Sequence, residues 1–143
     1  MTLSTREVVK RLVTWVPEQR WDDLPPLYDE EAVVEQPMAL PGPLRLVGRP
    51  AIAAHFAAAA QLPLSMRLEH LVLHQTADPD VVIAEFDYVA RRTDTAQEFR
   101  VANVFVVRAR EGRIIESRDY SNHALFAAAF DRLTAVEAAL RMS

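Results

Sequence analysis

The chain reads as an α+β domain in which helices cover one face of a strongly curved antiparallel sheet, and three observations lead to that class. Apolar residues recur at helical spacing in the N-terminal part, strand-like runs fill the stretch from Ser65 to Ser121, and a turn signal separates each run from the next. Helices therefore come first and strands follow, which segregates the two kinds of element.

Ser4 followed by Glu7 is a capping-box pattern, and Val8, Val9, Leu12, Val13 and Val16 then form a helical stripe that Pro17 ends. Asp22 or Asp23 before Pro25 opens a second, short helix carrying Leu24, Leu27 and Tyr28. Ala32-Val33-Val34-Glu35 is a short strand, with Leu44 to Val47 as its hairpin partner. Pro50 suits a helix start, and Ile52, His55, Phe56 and Ala59 repeat at helical spacing until Pro63. Four longer strands follow: Ser65 to Thr76, Val81 to Arg92, Gln97 to Ala109 and Arg113 to Ser121, joined at Asp78-Pro79-Asp80, Thr93-Asp94 and Glu111-Gly112. From His123 to Met142 the chain is Ala-rich with Phe126, Phe130, Leu133 and Leu140 near helical intervals, a C-terminal helical extension whose apolar stripe must be covered.

Composition narrows the function classes. At 143 residues, 50% hydrophobic and 25% charged, residues 1–143 fit a single domain with a real core. A net charge of -4 with scattered basic residues argues against nucleic acid as a partner. The lack of cysteine removes disulfides, thiolate metal sites and cysteine nucleophiles together. No apolar run approaches the ~20 residues of a membrane span, and the N-terminus lacks the apolar core of a signal peptide, so no membrane partner and a cytoplasmic location are expected.

The chemistry sits on two strand faces. In Phe99 to Val107 alternation sets Phe99, Val101, Asn103, Phe105 and Val107 on one side, the buried one, and Asn103 interrupts it. A buried amide left unpaired costs about 1–3 kcal/mol, so Asn103 either meets backbone or water inside the core or points into a ligand cavity. In Arg113 to Ser121 the alternation sets Ile115, Ser117, Asp119 and Ser121 inward, and Ile114, Glu116, Arg118 and Tyr120 outward. An inward Asp119 among apolar walls would have the raised pKa that acid/base work at neutral pH requires; the alternatives are an outward acid or an Asp that caps the following turn. Phe86 and Tyr88 are read as cavity walls, which sends Glu85 and Asp87 to the convex face; the alternative is an acidic cavity cluster of both with Asp119. Trp15, Tyr28, Phe56 and Met66 are the other candidate walls, each equally able to be plain core. His55 faces the sheet as a core histidine or a pocket donor, and His123 reads as part of a cap. His70 and His74 stand ~13 Å apart on a strand and cannot share one ion, so no metal is expected; no cofactor is expected either.

Tyr28-Asp29-Glu30-Glu31-Ala32-Val33-Val34-Glu35-Gln36-Pro37, the loop ending in Gly48-Arg49, and Glu111 to Tyr120 resemble the nuclear transport factor 2-like superfamily, in particular its SnoaL-like, polyketide cyclase-like branch. The resemblance spans roughly residues 5 to 122 and implies a cone-shaped, cystatin-like α+β barrel, a sheet wrapped around helices, with a homodimer as the expected assembly. It says little about activity, because one cone hosts isomerases, cyclases, hydrolases and binders.

Two enzyme comparisons sharpen it. Ketosteroid isomerases use an Asp where this chain has Gln36, an oxyanion-hole Tyr where it has Leu12, and a protonated Asp where it has Asn103, so that route is disfavoured. Limonene epoxide hydrolases resemble it at Arg118-Asp119-Tyr120, but their Arg-x-Asp strand corresponds to Glu85-Phe86-Asp87, with a carboxylate where the cation belongs. SnoaL-like cyclases need one well-placed acid near the last strand, and Asp119 supplies it. The reading is thus a pocket for a small hydrophobic, oxygenated molecule, with Asp119 as acid/base and Asn103, Gln36, His55 and Ser117 as its polar company. The alternative is a non-catalytic binder or a dimeric interaction protein.

Overall fold

The computed structural model describes residues 2–143. Helix α1 (Thr5–Trp15) is followed by two single 3₁₀ turns, Trp21–Asp23 and Pro25–Leu27, then strands β1 (Tyr28–Gln36) and β2 (Leu44–Val47) and helix α2 (Arg49–Ala60). Strands β3 (Leu64–Gln75), β4 (Val81–Arg92), β5 (Glu98–Arg110) and β6 (Arg113–Ser121) complete one six-stranded sheet of order β2-β1-β6-β5-β4-β3, and helices α3 (His123–Ala129) and α4 (Leu133–Arg141) end the chain. The sheet is antiparallel throughout except where β1 runs parallel to β6. The α+β class with a curved sheet around helices is as expected.

The capping box forms as the sequence indicates: Ser4 Oγ accepts from the Glu7 amide and Glu7 accepts from the Ser4 amide. Its buried face, Val8, Val9, Leu12 and Val13, packs into the concave side of the sheet among Val82, Ala84, Phe86 and Val107. Thr5 Oγ1 donates to the Asp80 carbonyl at 3.0 Å, which ties the start of α1 to the β3–β4 turn. Arg49 donates from Nε and Nη2 to the Tyr28 carbonyl at 2.9 and 2.6 Å and so docks the start of α2 on β1. The β5–β6 hairpin closes through Glu111 and Gly112, both at positive φ (52° and 77°), the arrangement a two-residue type I′ turn requires.

Three local expectations are corrected. The second helix is only a pair of 3₁₀ turns, because consecutive prolines Pro25 and Pro26 withhold two amide donors, and Tyr28 begins β1 rather than ending a helix. Strand β1 is consequently longer than Ala32 to Glu35. In β6 the register slips between Arg108 and Ala109, leaving Ile115 as the extra residue of a bulge, so Ile114 is wholly buried rather than outward. Beyond the bulge the expected alternation holds, with Ser117 and Asp119 buried. The C-terminal stretch is helical, and it is divided into two helices where Asp131 adopts φ 58° and Arg92 Nη1 donates to the Ala129 carbonyl at 2.9 Å.

Candidate functional site

The cone encloses a cavity of about 260 Å³ between the inner face of the sheet, the end of α1, α2 and α3. Its walls are mainly apolar: Leu12 and Val16 from α1 and its C-cap, Ile52 and Phe56 from α2, Met66 from β3 and Phe105 from β5. A second lobe of about 410 Å³ shares Gln36, His55, Met66, Tyr88, Phe105 and Phe126 with the first and extends past Asn103 and Ser121 to Asn122 and His123. At the inner end Asp119, Tyr28 and Tyr88 meet; at the junction of the lobes stand Gln36 and His55.

Among the described residues Asp119 is the one carboxyl lining either lobe. Pairing with Phe105 across the β5–β6 ladder turns it inward, and it is 8% exposed. Ser117, two residues earlier on the same face and fully buried, donates its hydroxyl to Asp119 Oδ1. Among the described residues this is the only side-chain hydrogen bond that Asp119 makes, so Oδ2 is left for the cavity. Burial pushes its carboxyl up to about 7, against the downward pull of the Ser117 hydrogen bond. Burial also raises the phenols of Tyr28 and Tyr88, and the negative charge of Asp119 adds to both shifts. Tyr88 donates its hydroxyl to the Val13 carbonyl at 2.7 Å, which fixes the ring against α1.

The polar groups farther out are held differently. Asn103 is buried and satisfied, its Nδ2 donating to the Val101 carbonyl at 3.0 Å and its Oδ1 accepting from Ser121 Oγ at 2.6 Å. Both readings of this residue thus meet: it is a satisfied amide and it lines the outer lobe. Gln36 Nε2 and His55 Nε2 approach to 3.5 Å, and burial lowers the His55 pKa, so the ring is neutral at pH 7. His123 lines the outer lobe, its pKa also lowered by burial, and its Nε2 has no partner among the described residues.

Of the residues singled out from sequence, the cavity brings together Asp119, Gln36, His55, Tyr88, Tyr28, Phe56 and Met66, with Asn103 in the second lobe. Three lie elsewhere. Trp15 is half-buried against the core but does not line the cavity, and Arg20 stacks over its ring at 4.0 Å and Arg11 at 5.5 Å; Leu12 and Val16 line the cavity from that helix and its C-cap. Phe86 shares the inner face of β4 with Tyr88, but its ring is packed edge-on against Tyr88 and Phe105, both at 5.0 Å, inside the core under α1. Ser117 touches Asp119 rather than the cavity. Sequence reading missed Trp21, which sits on a 3₁₀ turn without periodicity, and Phe105, whose place on the Asn103 face was legible.

On the convex face Glu85 and Asp87 find partners on neighbouring strands, as their position suggests. His70 Nδ1 lies 3.0 Å from Asp87, Arg100 Nη1 donates to Asp87 at 3.0 Å, and His74 Nε2 lies 2.6 Å from Glu85.

With the geometry in view, comparison with known proteins is informative. Residues 9–117 match the family model of the SnoaL-like domain. YesE of Bacillus subtilis strain 168, an uncharacterised protein, is 30% identical over 128 residues, covering 87% of this chain and 85% of its own length. An uncharacterised PhzA/B-like protein of Pseudomonas aeruginosa is 34% identical over 103 residues, covering 71% and 70%. A crystal structure from Bacillus subtilis, named provisionally as an isomerase, superposes with a TM-score of 0.82 at 27% identity, covering 90% of this chain and 93% of that one. The chain therefore belongs to the SnoaL-like domain family, a branch of the nuclear transport factor 2-like superfamily.

Proposed function

We propose that the cavity binds a small hydrophobic molecule bearing a carbonyl, hydroxyl or epoxide oxygen, and that Asp119 acts on it as a cofactor-independent acid/base in an isomerase-, cyclase- or hydrolase-type reaction. The observation that carries this reading is a single buried carboxyl, poised near pH 7, with one oxygen free toward an apolar cavity. A group half protonated at neutral pH can both take a proton from a polarised C–H or O–H and return it. Gln36 and His55, at the junction of the lobes, are candidates to orient the ligand oxygen, with Asn103 in the outer lobe.

One observation favours a non-catalytic binder instead. Asn103 already uses Oδ1 on Ser121 and one amide hydrogen on Val101, so it has at most its second amide hydrogen to offer a ligand oxygen. A thermal-shift screen against cyclic enones, terpene epoxides and related oxygenated apolar compounds separates the outcomes, since a ligand of the native state raises the melting point. A hit that Asp119→Asn still binds but no longer converts establishes catalysis. A hit that the wild-type protein binds without converting establishes the binder, and no shift for any compound overturns the ligand reading.

The same proposal includes a cytoplasmic homodimer joined through the convex sheet, where Val72 and Val104 are 49% and 37% exposed among charged neighbours. No helix among the described residues is long and apolar enough to cross a membrane. Sedimentation should show a dimer, and Val104→Arg should convert it to a monomer; a monomeric wild-type protein refutes this part.

A further inference from the structure

We propose that the cavity selects its ligand by charge, holding protonated amines most tightly, admitting uncharged apolar molecules and rejecting carboxylates and phosphates, with Asp119 as the discriminating residue. This rests on the reading that a ligand reaches Asp119 in the cavity. The first observation is the make-up of the walls. Among the described residues lining the two lobes there is no lysine or arginine. The arginines are turned outward: Arg11 and Arg20 stack on Trp15, Arg49 docks on the Tyr28 carbonyl, and Arg100 pairs with Glu69 and Asp87 on the convex face. The two histidines that do reach the cavity, His55 and His123, are kept neutral by burial. An anion entering this space would lose its water and meet neutral polar groups and a carboxyl, with no cationic side chain among the described lining residues to balance its charge.

The second observation is what surrounds Asp119. Phe105 is its cross-strand partner, at a Cβ separation of roughly 5 Å for such a pair. Tyr28 and Tyr88 are close enough for its charge to oppose their ionisation, and the aromatic wall continues from Tyr28 to Phe56 at a ring separation of 6.0 Å and from Phe56 to Trp21 at 6.5 Å. A free carboxylate oxygen beside aromatic rings suits an organic ammonium ion. One N–H donates to Oδ2, and the alkyl groups around the nitrogen lie on π faces that attract positive charge. The cavity volume of about 260 Å³ restricts the inner lobe to a small amine. Such an amine competes with the uncharged substrate for Asp119 and replaces the proton that the empty cavity makes Asp119 retain.

Three molecules of one shape and different charge test this by calorimetric titration: N,N-dimethylbenzylamine, its carbon isostere isobutylbenzene, and phenylacetate. At about pH 8, where Asp119 is ionised, the amine should bind ~tenfold more tightly than isobutylbenzene, and phenylacetate ~tenfold more weakly. At about pH 5.5, with Asp119 protonated and the amine still cationic, the spread should narrow. Asp119→Asn should remove the advantage of the amine and leave isobutylbenzene unaffected. The wild-type comparison decides the matter even if that variant fails to fold. Phenylacetate binding as well as isobutylbenzene, or an amine no tighter than its isostere, overturns charge selection while leaving the ligand cavity standing. No binding by any of the three overturns both.

Discussion

Asp87 and Asp119 are the same side chain on central strands of the same sheet, and the sheet treats them in opposite ways. Asp87 points out from β4 and collects His70 and Arg100, whose hydrogen bonds, His70 first, hold its carboxyl below the usual range. Asp119 points in from β6, receives one neutral hydroxyl, and burial holds its carboxyl up near 7. The pleat decides which side of the sheet a carboxyl meets, and the partners on that side decide its proton affinity. The convex carboxyl is an ion-pair component; the concave one is equipped for proton exchange.

The strongest way to break this contrast is to neutralise each aspartate in turn. Once a converted ligand is found, Asp119→Asn should lower turnover by ~10²–10⁴-fold with ligand still bound, measured by steady-state kinetics, whereas Asp87→Asn should leave turnover within about twofold. Stability against pH gives the next largest effect. The folded pKa of Asp119 lies above its ordinary value, so its contribution is full below about pH 4 and is lost as pH rises toward 7. Denaturant titrations should show the wild-type protein losing on the order of 4 kcal/mol from this group across that window, and Asp119→Asn should flatten the profile. Asp87 runs the other way: its lowered pKa gives stability present above about pH 4 and lost in more acidic solution. Solvent screening keeps that contribution to about 1 kcal/mol or less, diminished further by salt. The finest test is Ser117→Ala, which removes the sole hydrogen bond opposing the effect of burial on Asp119. The Asp119 titration followed by carboxyl NMR should then move to higher pH; an unmoved titration would mean that Ser117 is mere packing.

Much of this contrast was legible in the residues. The alternation Phe99, Val101, Asn103, Phe105, Val107 fixed the inward side of β5, and Ser117 with Asp119 fixed that of β6, because a period of two leaves a strand only two faces. The capping box at Ser4 and Glu7 needed only local geometry. Other residues were not legible for reasons equally physical. A bulge at Ile115 reversed the phase of Ile114, and such an insertion depends on the partner strand. Phe86 and Tyr88 share a face, yet only the position of α1 decides that one ring is core and the other cavity wall. Trp15 could have closed the cavity at helical spacing but is claimed by two arginines outside it.

What the sequence determined by itself was the class of fold, the order of elements and the inward direction of Asn103 and Asp119, since periodicity, caps and turns act over a few residues. Tertiary structure alone decided that Asp119 meets Tyr28, Tyr88 and Phe105 from three other strands, that no arginine among the described residues lines the cavity with it, and that its proton is held near neutral pH. Burial and charge pairing depend on which distant segments come together, and no local pattern carries that information.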